Sequence, residues 1–175
     1  MKKGVKETLM DTKNFKNLCD RLLKKYGFKK KKTMYYKDSN DGIRCGVYLQ
    51  RSYYGKVYYF NYYYFLDNSD VKVFPQYFEA DVYGRITVLS KIKERDGNYH
   101  QTELIKYELY EEKELEEYLE KGIQDEILLP IKKGRQVIFD MVKNGTCIIY
   151  KFRSKEEEEV MQKLYDLKTG EGQKS

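Results

Sequence analysis

Residues 43–66 read IRCGVYLQRSYYGKVYYFNYYYFL and contain eight of the chain's nineteen tyrosines. β-Branched and aromatic residues suit a pleated, packed surface. The pattern breaks at Gly55-Lys56, which supplies a turn, so the stretch predicts two long strands in a hairpin. Side chains alternate along a strand. Cys45, Val47 and Leu49 therefore share one face, and Arg44, Tyr48, Gln50 and Ser52 the other. In the second strand Tyr58, Phe60, Tyr62, Tyr64 and Leu66 oppose Val57, Tyr59, Asn61, Tyr63 and Phe65. A strand apolar on both faces is central in its sheet and covered on both sides. Tyrosine adds a hydroxyl that needs a partner. One face is thus expected to be core, and the other a second packing face or a concave binding surface.

Outward from the hairpin, a helix should begin near Asp11 or Thr12, both good N-caps. Phe15, Leu18, Cys19, Leu22, Leu23 and Tyr26 recur at helical spacing, and Gly27 ends the run as a left-handed C-cap. Lys29–Lys32 is a basic run, and Thr33–Lys37 a strand. Residues 38–42 and 67–70 have turn chemistry. Val71–Ala80 holds Pro75 and is expected as loop or edge. Strands are predicted over Val82–Ile92 and Thr102–Leu109, with a turn at Asp96-Gly97-Asn98. Helical spacing follows from Glu111, with Leu115, Tyr118, Leu119, Ile123 and Ile127 on the apolar side and Pro130 at an end or kink. A short helix is expected over Arg135–Lys143, an apolar extended run over Thr146–Phe152, and a last helix opened by the Ser154/Glu157 capping box. The fold class expected is α+β: a single antiparallel sheet of about five strands, with an N-terminal helix and C-terminal helices packed against it. Residues 1–10 are expected to be flexible, 11–168 to form one domain, and 169–175 to be a disordered tail.

The 175 residues suit one core of ordinary size. No segment is apolar enough to span a bilayer, and lysines at the N-terminus lead into no apolar stretch, so a cytoplasmic location and no membrane partner are expected. Cys19, Cys45 and Cys147 are widely spaced, fit neither a disulfide framework nor a zinc site, and are expected as small core residues. The net charge of +6 is unevenly distributed. Residues 1–37 hold thirteen Lys/Arg and three acids, and residues 103–126 hold ten acids and three lysines. The two regions are expected to offset each other partly in the fold, although a basic patch can also meet nucleic acid or an acidic protein.

The order of several short motifs resembles a known family. A helix ends in Tyr26-Gly27-Phe28 followed by lysines. A strand ends in Gln50-Arg51-Ser52, the next carries Asn61, and Arg85-Ile86 and Leu129-Pro130 follow. This is similar to the bacterial domain-of-unknown-function family numbered 4304, over most of residues 12–145. The family's "RIG" element has Thr87 here in place of glycine. The resemblance implies a fold and no established activity. By analogy, small bacterial proteins of this kind include suspected immunity proteins that neutralise a toxin.

No nucleophile motif or phosphate-cradling glycine loop is present, and neither Asp38/Asp41 nor Asp67/Asp70 has metal-ligand spacing. His100 sits alone beside a turn. No enzyme activity, cofactor or metal is expected. The favoured reading is a protein-binding module, because tyrosine is enriched at interface hot spots. Its candidate residues are polar groups set among the aromatic strands, Gln50, Arg51, Ser52, Asn61 and Arg85, together with Tyr63. An internal hydrogen-bond network that fixes strand register is the competing account of the same residues. The alternative function is a single-stranded RNA-binding domain, with bases stacked on a tyrosine-rich sheet beside the N-terminal lysines.

Overall fold

The computed structural model describes residues 9–66 and 72–149, together with 159 and 162. Helix α1 (Thr12–Lys25) starts where Asp11 Oδ1 accepts the Asn14 N–H at 2.7 Å. It stops in a Schellman motif: Gly27 takes φ +81°, its N–H reaches Lys24 O, and the Phe28 N–H reaches Leu23 O at 3.0 Å. Strands β1 (Lys29–Lys31), β2 (Met34–Asp38), β3 (Arg44–Arg51), β4 (Tyr58–Phe65) and β5 (Val82–Arg85) follow as an antiparallel meander. A two-stranded ribbon, β6 (Val88–Leu89) with β7 (Gln101–Thr102), leads to helix α2 (Glu112–Gly122). A π-helical turn (Ile123–Leu128) then runs into α3 (Leu129–Lys133) and α4 (Arg135–Lys143). Strand β8 (Cys147–Ile149) returns to pair with β5, giving the six-strand order β1-β2-β3-β4-β5-β8.

The α+β class and the two-faced hairpin are as expected. Arg44 faces Phe65 and Arg51 faces Tyr58 at the two ends of the β3–β4 register. On one face Tyr58, Phe60, Tyr62 and Tyr64 meet Phe15, Leu18 and Leu22 of α1, with Leu115, Leu119 and Ile123 in the same core. Phe15 stacks on Tyr107 at 5.2 Å between ring centroids and leans on Tyr58 at 5.1 Å. On the other face Met34, Tyr36, Tyr63 and Phe65 form a smaller cluster with Ala80, Phe74, Tyr48 and Tyr83. All three cysteines are buried with free thiols. Among the described residues no helix is long and apolar enough to cross a membrane.

Three sequence expectations need correction. Lys29–Lys31 is not merely a basic run, because it pairs with β2 as an edge strand. Val82–Ile92 is not one strand. The Ile86 N–H still bonds Phe60 O, but the next place along β4 is taken by Ile105, which exchanges two backbone hydrogen bonds with Tyr58. The chain therefore leaves the main sheet after Ile86. For the same reason Thr102–Leu109 is not one strand: Thr102 ends β7, Ile105 makes a single bridge, and a 3₁₀ turn (Tyr107–Leu109) sends Tyr107 into the core. All of the expected helix from Ser154 except residues 159 and 162, the turn at 67–70 and both chain ends up to residue 8 and beyond 162 lie outside the described residues.

Two glycines are set by close packing. A Cβ on Gly84 would lie 2.3 Å from the Tyr62 hydroxyl, and one on Gly122 2.5 Å from Ile86 Cγ2. Gly122, which weakens α2 as a helix former, thus lets α2 approach the sheet. Gly84→Ala is expected to lower stability by about 2–3 kcal/mol, as overpacking in a close-packed interior does. A urea midpoint in Gly84→Ala equal to wild type would contradict this packing.

Candidate functional site

The far face of the sheet is covered at only one end. Residues 74–80 lie over the Tyr36/Phe65 end, where Tyr36 donates to Pro75 O at 2.6 Å. Arg44 is 1% exposed there, held by Asp38 (Nε to Oδ1, 2.5 Å), by Val73 O, and by the Phe74 ring 4.9 Å from its guanidinium carbon. At the other end Tyr48, Gln50, Tyr59, Tyr83 and Arg85 are half-buried. Tyr77 stacks on Tyr48 at 5.4 Å and 5°, and Phe78 beyond it is exposed.

Three of the sequence-predicted residues converge at this open end because their strands are adjacent and in register. Asn61 pairs with Tyr48 on β3 and with Arg85 on β5. Its amide nitrogen donates to Gln50 Oε1 at 3.2 Å, and its amide oxygen accepts from Arg85 Nε at 2.9 Å. Arg85 continues to Glu103 Oε2 at 2.9 Å and lies 4.4 Å from the Tyr59 ring centroid. Asn61 is 1% exposed, whereas the Arg85 side chain keeps 28% of its surface. The network therefore does two things. Its inner member locks three strands in register, and its outer member presents a cation framed by rings. Tyr63 is buried against Tyr77 and Tyr83.

Arg51 and Ser52 do not join this group. Arg51 has the parity of Leu49 and falls on the helix side of the sheet, where it lines a cleft with α1 and the β1–β2 turn. Ser52 closes the hairpin loop: its N–H bonds Val57 O at 2.9 Å, and its Oγ accepts the Tyr54 N–H. At the tip of that loop Tyr53 and Tyr54 are 99% and 95% exposed. The segment's turn chemistry was legible, but not that both rings would be left in solvent.

A second cluster was not foreseen. The Tyr62 hydroxyl donates to Glu126 Oε2 at 2.7 Å and lies 3.4 Å from Cys147 Sγ, and the Tyr64 hydroxyl donates to Glu126 O. Burial raises the Glu126 carboxyl above its ordinary value, against the opposing effect of the Tyr62 hydrogen bond. Burial also pushes the Cys147 thiol up to about 12 and raises Cys19 and Cys45, so none is poised as a thiolate. His100 is exposed and pairs with Asp96 at 2.7 Å. Asp38 is taken by Arg44, and Asp41 by Ser39 Oγ. Among the described residues no group of three or more metal-ligating side chains occurs.

Among family models, one described as a domain of unknown function (DUF4304) matches residues 19–131, more than half of the chain. The matched span includes Gln50, Asn61, Arg85 and Glu126. Comparison with curated proteins and with solved structures gives no match.

Two measurements follow. Asn61→Ala strands the Arg85 and Gln50 groups it serves and should cost about 1–3 kcal/mol of unfolding free energy; an unchanged denaturation midpoint would remove the register role. Because the folded-state pKa of Glu126 is raised, the fold takes up a proton there before the unfolded chain does. Its carboxylate therefore lowers stability as pH rises from the ordinary carboxylate range through the folded value. Glu126→Gln should leave the melting temperature at pH 4 unchanged and raise it by a few degrees at pH 8. Equal melting curves at both pH values would contradict the buried charge.

Proposed function

We propose that this chain, which belongs to the DUF4304 family, is a non-enzymatic protein-binding module of the cytoplasm whose docking surface is the open end of the far sheet face. The observation that carries this reading is the partly exposed Arg85 guanidinium set against the half-buried Tyr59 and Tyr83 rings, on the same face as half-buried Tyr48 and the exposed Tyr77 stacked on it. Tyrosine and arginine dominate interface hot spots because they add large contact area with a hydrogen-bonding end at small entropic cost. Here the rings are already held by stacking and Arg85 by Asn61 and Glu103, so little ordering remains to be done on binding. The raised thiols and the exposed His100 favour a binding role over nucleophilic catalysis. In its sharpest form the partner is a bacterial toxin and the chain is its immunity protein.

The test is co-purification and cross-linking from the source cells, with wild type compared to Tyr59→Ser and Tyr77→Ser. Both rings are partly exposed, so melting temperatures should stay within about 2–4 °C of wild type, the equivalent of roughly 1 kcal/mol. Wild type is expected to retain a stoichiometric protein that both variants lose at least tenfold. A partner retained by both variants, or a bound fraction made only of nucleic acid, would overturn the proposal.

A further inference from the structure

The basic N-terminal region divides into two sides in the fold. On one side Arg21 meets Glu112 and Glu116 at 3.2 and 3.0 Å, and Lys25 meets Glu120, so α1 and α2 offset each other. The other side of α1 meets the β1–β2 turn and the end of β3 across a cleft of about 690 Å³. Lys16, Lys24, Lys30, Lys32 and Arg51 line it, against one acid, Asp20. Lys24 holds Asp20 at 2.7 Å and depresses its carboxyl. Among the described residues Lys16, Lys32 and Arg51 make no ion pair.

The backbone at the cleft adds a second feature. Strand β2 pairs with β3 only from Asp38↔Arg44 to Met34↔Tyr48. Beyond that point Leu49–Arg51 have β4 on one side and the cleft on the other. An open strand edge is a template for an extended chain. The rings in the cleft offer no open platform for bases. Tyr48, which also lines it, has one face covered by Tyr77 at 5.4 Å. Tyr35 and Tyr58 are each 3% exposed, and the Lys30 and Lys16 ammonium groups sit over them at 5.0 and 5.8 Å. Single-strand recognition depends on free ring faces. Ammonium groups held over the rings suit carboxylates, and Lys30 already lies 3.9 Å from Asp20 Oδ1.

We propose that this cleft takes an extended, Asp/Glu-rich segment of a protein partner, laid along the open edge of β3 with its carboxylates on Lys16, Lys30, Lys32 and Arg51. The inference rests on the protein-binding reading and names the partner's charge. It also places a second contact on the helix side of the sheet, opposite the face that carries Arg85.

Fluorescence anisotropy tests it on the full chain, with labelled probes of equal length: an alternating Glu/Thr decapeptide, its Lys/Thr counterpart and a decauridylate. The Glu/Thr peptide is expected to bind at low salt, to weaken as salt rises through screening, and to bind more tightly than either other probe. Lys30→Glu/Lys32→Glu should reduce its affinity about tenfold or more, whereas Lys113→Glu/Lys121→Glu, the same charge change on α2, should leave it within about twofold. Circular dichroism melts confirm that both variants fold. Tighter binding of decauridylate overturns the proposal, as does a Glu/Thr affinity that both double variants change equally. If the peptide does not bind while wild type still captures a protein that Tyr59→Ser releases, the acidic-segment assignment falls and the protein-binding reading stands.

Discussion

Two tyrosine hydroxyls end on one residue. Tyr62 reaches the Glu126 carboxylate and Tyr64 its carbonyl, from neighbouring same-face positions on β4. A buried hydroxyl without a partner costs about 1–3 kcal/mol, so a central strand this rich in tyrosine needs acceptors placed above it. The π-helical turn at Ile123–Leu128 presents both acceptors of Glu126 over the sheet. π Turns often mark functional sites; here the turn meets a packing requirement. The same demand sets Gly84 beneath the Tyr62 ring and Cys147 beside its hydroxyl, which ties β4, β5, β8 and the helical layer to one point.

Tyrosine serves the two faces of β4 differently. On the helix side the rings are closed over and their hydroxyls satisfied internally. On the far side residues 74–80 close only half the surface, over Tyr36, Tyr63 and Phe65. The open half keeps its rings in place by stacking on one another and on Arg85. That arrangement is stable in water because each ring buries one face and wets the other.

Charge follows a similar division. Exposed ion pairs contribute little because solvent screens them, so the Arg21 and Lys25 contacts with α2 do little to hold the fold together. Their effect is on the field: they cancel one flank of α1 and leave the other flank, with β1 and Arg51, as a concentrated positive cleft. The basic and acidic regions thus do meet, as their opposite signs suggested, but the meeting is partial and one-sided.

Much of this protein is local in origin and was therefore legible. Helix α1 and its Gly27 cap, α2, α4 and the two-faced hairpin follow from periodicity, capping chemistry and alternation, all properties of a few consecutive residues. The meeting of Gln50, Asn61 and Arg85 was half legible. Each was marked as a polar residue in an aromatic strand, but only the register of three paired strands shows that they form one network and that Arg51 and Ser52 do not. What only tertiary structure decided is non-local. Ile105 displaces residues 88–92 from the edge of β4, and Glu126 is set over Tyr62 and Tyr64. These outcomes depend on which of several distant segments pairs with a given backbone edge or hydroxyl. Short-range sequence pattern carries no record of that competition.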